Sequence, residues 1–231
     1  PWLYHHYAGH DDNRDWFMMN LPETRNSARQ LFTEWFPEIV YNQHQAAPFP
    51  ARIFVPPFDD PVNPNIPPLV IRGVNAVGDA MARRLDQEGK TGAISRIGFD
   101  TWWNGGMRTV PYFHNMIGIL TETGHMSATP VKHDPRTFPR TFGNGVPPLE
   151  PTTDYPSPYM GGDWRLRNSC DYMVSASMAV LDIGAKRRTE WLYDIYRMGR
   201  DAMITHAQET FIVPAEQWDP GTAAKMINVL R

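Results

Sequence analysis

Between Pro22 and Phe36 the apolar residues Ala28, Leu31, Phe32, Trp35 and Phe36 recur at spacings of three and four, the stripe of an amphipathic helix. Pro22 is tolerated in its first turn and Glu23 suits the positive end of its dipole. Pro37 ends it, and Glu38–His44 then reads as a short strand that finishes in polar residues. Arg52–Val55 reads as a second strand. The turn-forming residues of 59–68 form a loop. Pro67-Pro68 opens a helix to about Glu88, with Gly89 as its C′ residue. The segment 97–108 carries Trp102-Trp103-Asn104-Gly105-Gly106, a surface loop with glycine turns. Met116–Leu120 is a nearly unbroken apolar run inside 115–122, which predicts a central strand covered on both faces. Residues 126–162 read as loop, 163–206 as a long helix broken near Gly184 or Gly199, 210–214 as a strand, and Asp219-Pro220-Gly221 as the start of a last helix. Residues 1–20 read as loop. Strands alternating with helices predict an α/β domain with a mixed or mostly parallel sheet.

Composition narrows the classes. A net charge of −3 over 231 residues gives no basic face for bulk nucleic-acid binding. Hydrophobic residues at 42% and charged ones at 20% fit a folded globular chain. No apolar run is long enough for a membrane span. The single cysteine, Cys170, excludes an internal disulfide framework and any multi-cysteine metal site. The start at Pro1-Trp2-Leu3-Tyr4-His5-His6 has neither an initiator Met nor a signal peptide, and Leu230-Arg231 stops inside a helical pattern, so the sequence reads as a fragment. There is no phosphate-binding glycine loop, nucleophile elbow or H-E-x-x-H.

Three constellations carry chemistry. His44 stands at the polar end of an apolar strand, where α/β sheets gather ligands, and is either a metal ligand or an ordinary loop histidine. Glu122 ends the buried strand and is followed by Thr123-Gly124-His125. Partial desolvation would raise its pKa toward that of a general base, the alternative being a cap. Asn13-Arg14 offers a planar fork and an amide donor to a carboxylate, or else a surface salt bridge. A fourth pattern, His206-Ala207-Gln208-Glu209, has ligand-like spacing but lies on a charged helix and reads as a solvated face.

Taken in order, these residues resemble the zinc carboxypeptidase family (carboxypeptidase A-like). Gly9-His10-Asp11-Asp12-Asn13-Arg14-Asp15-Trp16 resembles the family's Asn-Arg segment, and His44 falls at its third zinc ligand. Ile119-Leu120-Thr121-Glu122-Thr123-Gly124 resembles the strand that carries the general base. Ile53–Phe58, Pro61–Asn65 and Phe113-His114-Asn115 are similar to a large, mainly bacterial subgroup with extra C-terminal segments. The motif-bearing part is about 7–125. The resemblance implies a carboxypeptidase A-like mixed sheet flanked by helices, with the catalytic domain over 1–208 and a following segment over 209–231. It also implies periplasmic or secreted protein.

The resemblance further implies zinc, held by His44 and by an upstream H-x-x-E that the given sequence does not contain. Glu122 would be the general base to a zinc-activated water, and Asn13 and Arg14 would grip the C-terminal carboxylate of a peptide substrate. Arg108 would add a second contact to the substrate carboxylate or else pair with an acidic neighbour. Tyr112 is a possible counterpart of the family's mobile tyrosine. One protein ligand cannot hold zinc tightly, since such sites use roughly three or four, so little peptidase activity is expected of these 231 residues alone. The rival classes are a non-catalytic carboxypeptidase-like binding module and a zinc amidohydrolase acting on a non-peptide substrate.

Overall fold

The computed structural model describes residues 9–124 and 127–230; Pro1–Ala8, His125, Met126 and Arg231 lie outside the described residues. Its centre is a four-stranded sheet. The strands are β1 (Ile39–His44), β2 (Ile53–Phe54), β3 (Ala93–Ile94) and β4 (Ile117–Thr123), in the order β1-β4-β2-β3. β1 runs parallel to β4 and β2 parallel to β3, while β2 and β4 are antiparallel, so the sheet is mixed. The apolar run becomes the second strand of this sheet, and every residue of β4 is buried.

The helices are α1 (Pro22–Arg29), α2 (Pro68–Gln87), α3 (Leu166–Lys186), α4 (Arg188–Thr205) and α5 (Pro220–Leu230). α1 continues as a π-helical stretch over Gln30–Trp35 and closes at Phe36, whose φ is 47°. α2 buries Val70, Val74, Val77, Met81 and Leu85, a stripe at helical spacing, and ends at Glu88 before Gly89. Two further short strands, β5 (Val131–His133) and β6 (Gly162–Trp164), pair antiparallel within the proline-rich stretch.

Residues on successive positions of β1 and β4 face opposite sides of the sheet. The odd-numbered face packs on α2 and α3. A Cβ on Gly73 would lie 2.2 Å from Cδ1 of Ile117, and Gln43 Nε2 donates to Ser177 Oγ at 2.6 Å. Tyr41 and Thr121 share a 2.8 Å hydrogen bond on this side. The even-numbered face is covered by the connection 95–116. Asn42 Nδ2 donates to Met107 Sδ, and Gly118 lies against the backbone of Arg108.

Two expectations are corrected. Asp163 and Trp164 belong to β6, so the long helix starts only at Leu166. The break expected near Gly184 falls three residues on, at Arg187, where the N–H of Arg187 still bonds to Ile183 but φ has moved to −109°. Residues 210–214 form no strand. Phe211 and Ile212 are 90% and 83% exposed, and among the described residues no strand lies beside the segment to give it ladder hydrogen bonds.

Candidate active site

Two parallel strands end side by side at the site. The β1–β4 register sets His44 opposite Glu122 at their carboxyl ends, both on the even-numbered face. The chain beyond β1 turns back over Glu122: Ala46 N–H donates to Glu122 Oε2 at 2.6 Å, Ala47 N–H to the Thr123 carbonyl at 3.2 Å, and Thr123 Oγ1 to the His44 carbonyl at 3.0 Å. Glu122 is only 7% exposed. Burial pushes its carboxyl above the ordinary glutamate value, opposed by the Ala46 N–H and by the charges of Arg108 and Arg14.

Asn13, Arg14, Arg108 and Glu122 line one cavity of about 340 Å³, together with Asp100 and Trp103 among others. The cavity gathers four of the five site residues expected from the sequence. His44 lines an adjoining hollow of about 260 Å³ with Asn42 and Glu23, and Asn13 lines both.

Arg14 closes a short 3₁₀ turn over Asp12–Arg14, started by Asp11, whose side chain accepts from the Asn13 N–H at 2.8 Å. Its guanidinium lies 5.2 Å from the ring centroid of Trp103, a cation–π contact, and its nearest carboxylate oxygen, on Asp11, is 4.0 Å away. The turn is fixed from behind by Asp15. This buried carboxylate accepts from His10 Nε2 and Asn20 Nδ2 at 3.0 Å each, from the Leu21 N–H at 2.8 Å and from Thr24 Oγ1 at 2.5 Å. Burial alone would raise the Asp15 pKa, but the bonds from Thr24, Leu21, Asn20 and His10 outweigh it and hold the carboxyl at about 2. Sequence reading missed Asp15 as the anchor, because a run with three aspartates gives no sign of which one turns inward.

Arg108 lies on the loop over β4. Its Nη2 donates to Asp100 Oδ1 at 2.8 Å and Phe58 stacks on the guanidinium at 4.5 Å, so the acidic-neighbour reading is realised while the side chain still lines the cavity. The loop is held down by Thr109 Oγ1, which donates to the Trp103 carbonyl, and by a bridge between Asp59 and Asp100. Tyr112 is 0% exposed, sits in the 3₁₀ turn Val110–His114 and belongs to the core, outside the lining of the cavity.

His44 carries the imidazole nitrogen that zinc accepts as a ligand. Its Nε2 and the Oδ1 of Asn42 are buried with no hydrogen-bond partner among the described residues, and burial followed by the charge of Arg14 lowers the His44 pKa, which favours a free imidazole lone pair. Among the described residues, however, no three His, Cys, Asp or Glu side chains converge closely enough to hold a metal ion. His206 and Glu209 form an exposed 2.8 Å pair of their own.

No helix among the described residues is long and apolar enough to cross a membrane. Compared with known proteins, the chain matches no family model, no curated protein and no solved structure.

Proposed function

We propose that this chain carries the carboxylate grip and general base of a zinc-dependent metallocarboxypeptidase, a hydrolase that removes C-terminal residues from peptides. The observation that supports this reading is that a carboxylate-binding pair, Asn13 and Arg14, and a desolvated carboxylate, Glu122, line one cavity, with His44 beside Glu122 on the neighbouring strand. His44 would be one ligand, and the remaining ligands would come from an H-x-x-E outside the described residues. Zinc, when bound, would polarise the scissile carbonyl and acidify water.

The chain's own residues do the rest. Arg14 presents a planar fork to the terminal carboxylate and Asn13 adds an amide donor, which fixes the scissile bond at a set distance from the chain end. Glu122 takes a proton from the attacking water and returns it to the leaving amine. Its burial raises its proton affinity, and the Ala46 N–H and the two arginines oppose that rise by favouring the ionised form. The test is hydrolysis of blocked dipeptides by the full gene product loaded with zinc. Glu122→Gln should lower kcat by about 100-fold or more with little change in KM. Arg14→Ala should raise KM for peptides with a free C-terminus, and C-terminal amides should be poor substrates of the parent. Full activity in Glu122→Gln, or equal cleavage of amides, overturns the assignment.

The absence of a three-residue donor set among the described residues favours a second reading, a binding module that grips C-termini without cleaving them. Ligand binding that persists with no hydrolysis under zinc would select it.

A further inference from the structure

The candidate active site contains two guanidiniums where gripping a single carboxylate needs one. We infer that the cavity takes a C-terminal residue with two carboxylates, aspartate or glutamate, with Arg14 binding the α-carboxylate and Arg108 the side-chain carboxylate. The assignment of Arg14 to the α-carboxylate rests on the carboxypeptidase reading; the assignment of Arg108 rests on the pocket itself.

Both arginines line the same cavity, and its volume of about 340 Å³ is at the small end of ligand pockets, so a ligand held by one is within reach of the other. Arg108 is preorganised for recognition. Phe58 stacks on its plane, Asp100 holds one amino group, the other terminal nitrogen has a long 3.4 Å contact to the Thr101 carbonyl, and the Tyr112 hydroxyl lies beside the guanidinium. A guanidinium carries five N–H donors, so this arrangement leaves donors for a ligand.

Asp100 lines the same cavity as Arg108, but its side chain is 42% exposed against 11% for Arg108, so water screens the carboxylate more than the guanidinium. Phe99, Trp103 and Leu120 give the methylenes of a short acidic side chain an apolar wall. An apolar or amide side chain in the same place would strip water from Arg108 and return no charge, and a lysine side chain would meet two cations.

Binding separates the possibilities without requiring turnover. N-acetyl-glutamate, N-acetyl-glutamine and N-acetyl-lysine share the α-carboxylate; the first two have isosteric side chains, and the lysine side chain is longer and carries the opposite charge. Titrated calorimetrically into the full gene product, N-acetyl-glutamate should bind at least tenfold more tightly than N-acetyl-glutamine, a difference of about 1.4 kcal/mol, and N-acetyl-lysine should bind weakest. Arg108→Met should bring the glutamate-to-glutamine ratio to within about twofold, and Arg108→Lys should keep part of it. The ratio in the unaltered protein is decisive even if the variants fold poorly. Equal binding of the glutamate and glutamine forms, with both lost in Arg14→Ala, overturns the two-carboxylate inference and leaves the carboxylate grip standing. Tightest binding of N-acetyl-lysine overturns it in favour of Asp100 as the recognition group. No binding of any of the three, or binding indifferent to Arg14→Ala, removes the grip itself and with it the proposed function.

Discussion

Asp15 shows how much of the site depends on a residue that does not line the main cavity. Its carboxylate takes four hydrogen bonds from His10, Asn20, Leu21 and Thr24, and so ties the Asn13–Arg14 turn to the start of α1. A pKa lowered from 3.8 to about 2 corresponds to about 2 kcal/mol of stability, and Asp15 is 0% exposed, so solvent screening removes little of it. Because the folded pKa lies below the unfolded one, this contribution is complete above about pH 4 and is lost as pH falls toward 2. Asp15→Asn should therefore cost about 2 kcal/mol in urea unfolding at neutral pH. The gap to the unaltered protein should close as the titration is repeated toward about pH 2. A gap independent of pH would mean that packing, not charge, sets the role of Asp15. At this scale the sequence marks the residues whose chemistry is unusual for a strand end or a loop, such as His44, Glu122 and the Asn13-Arg14 pair. It does not mark their supports. Asp100 and Phe58 lie eight and fifty positions from Arg108, and nothing in either local pattern announces that they will frame it.

Elements with a strong period were legible from the chain alone. α2 keeps its stripe from Val70 to Leu85, β4 keeps its apolar run, and both fall within a few residues of where the pattern puts them. Two-residue strands such as β3 carry no period, and β5 and β6 are set by pairing across some thirty residues of proline-rich chain, so neither could be read locally. The segment 210–214 is β-branched and aromatic, yet among the described residues no strand pairs with it, and strand propensity without a partner does not make a strand. Gly118 joins the element scale to the site. A Cβ there would stand 1.8 Å from the Arg108 carbonyl oxygen, so the loop over β4 can sit this low only on a glycine. Gly118→Ala should destabilise the fold by about 1–3 kcal/mol, as overpacking against backbone does. It should also weaken N-acetyl-glutamate binding more than N-acetyl-glutamine binding, because Arg108 is what moves. Equal weakening of both ligands in calorimetry would show that the loop shifts as a whole.

Across the molecule, a chain of net charge −3 places two arginines, Arg14 and Arg108, in one small cavity beside two carboxylates, Asp100 and Glu122, so the site pairs both signs at close range. The mixed α/β architecture follows from the alternation of periods. The sheet order does not, because β4 inserts between β1 and β2 through contacts made far apart in sequence. The two-sided sheet has a genetic consequence. From Tyr41 to His44 and from Ile119 to Glu122, each step along the chain crosses from the helix-packed side to the cavity side. Saturation mutagenesis of these eight codons, scored once for cellular abundance and once for ligand capture, should give two interleaved records. Losses at 41, 43, 119 and 121 should appear in the first score, and losses at 42, 44 and 122 chiefly in the second. Position 120 should register in both, since Leu120 belongs to the core and to the cavity wall alike. Natural variation would be filtered on the same two-beat rhythm, with stability selecting on one beat and chemistry on the other.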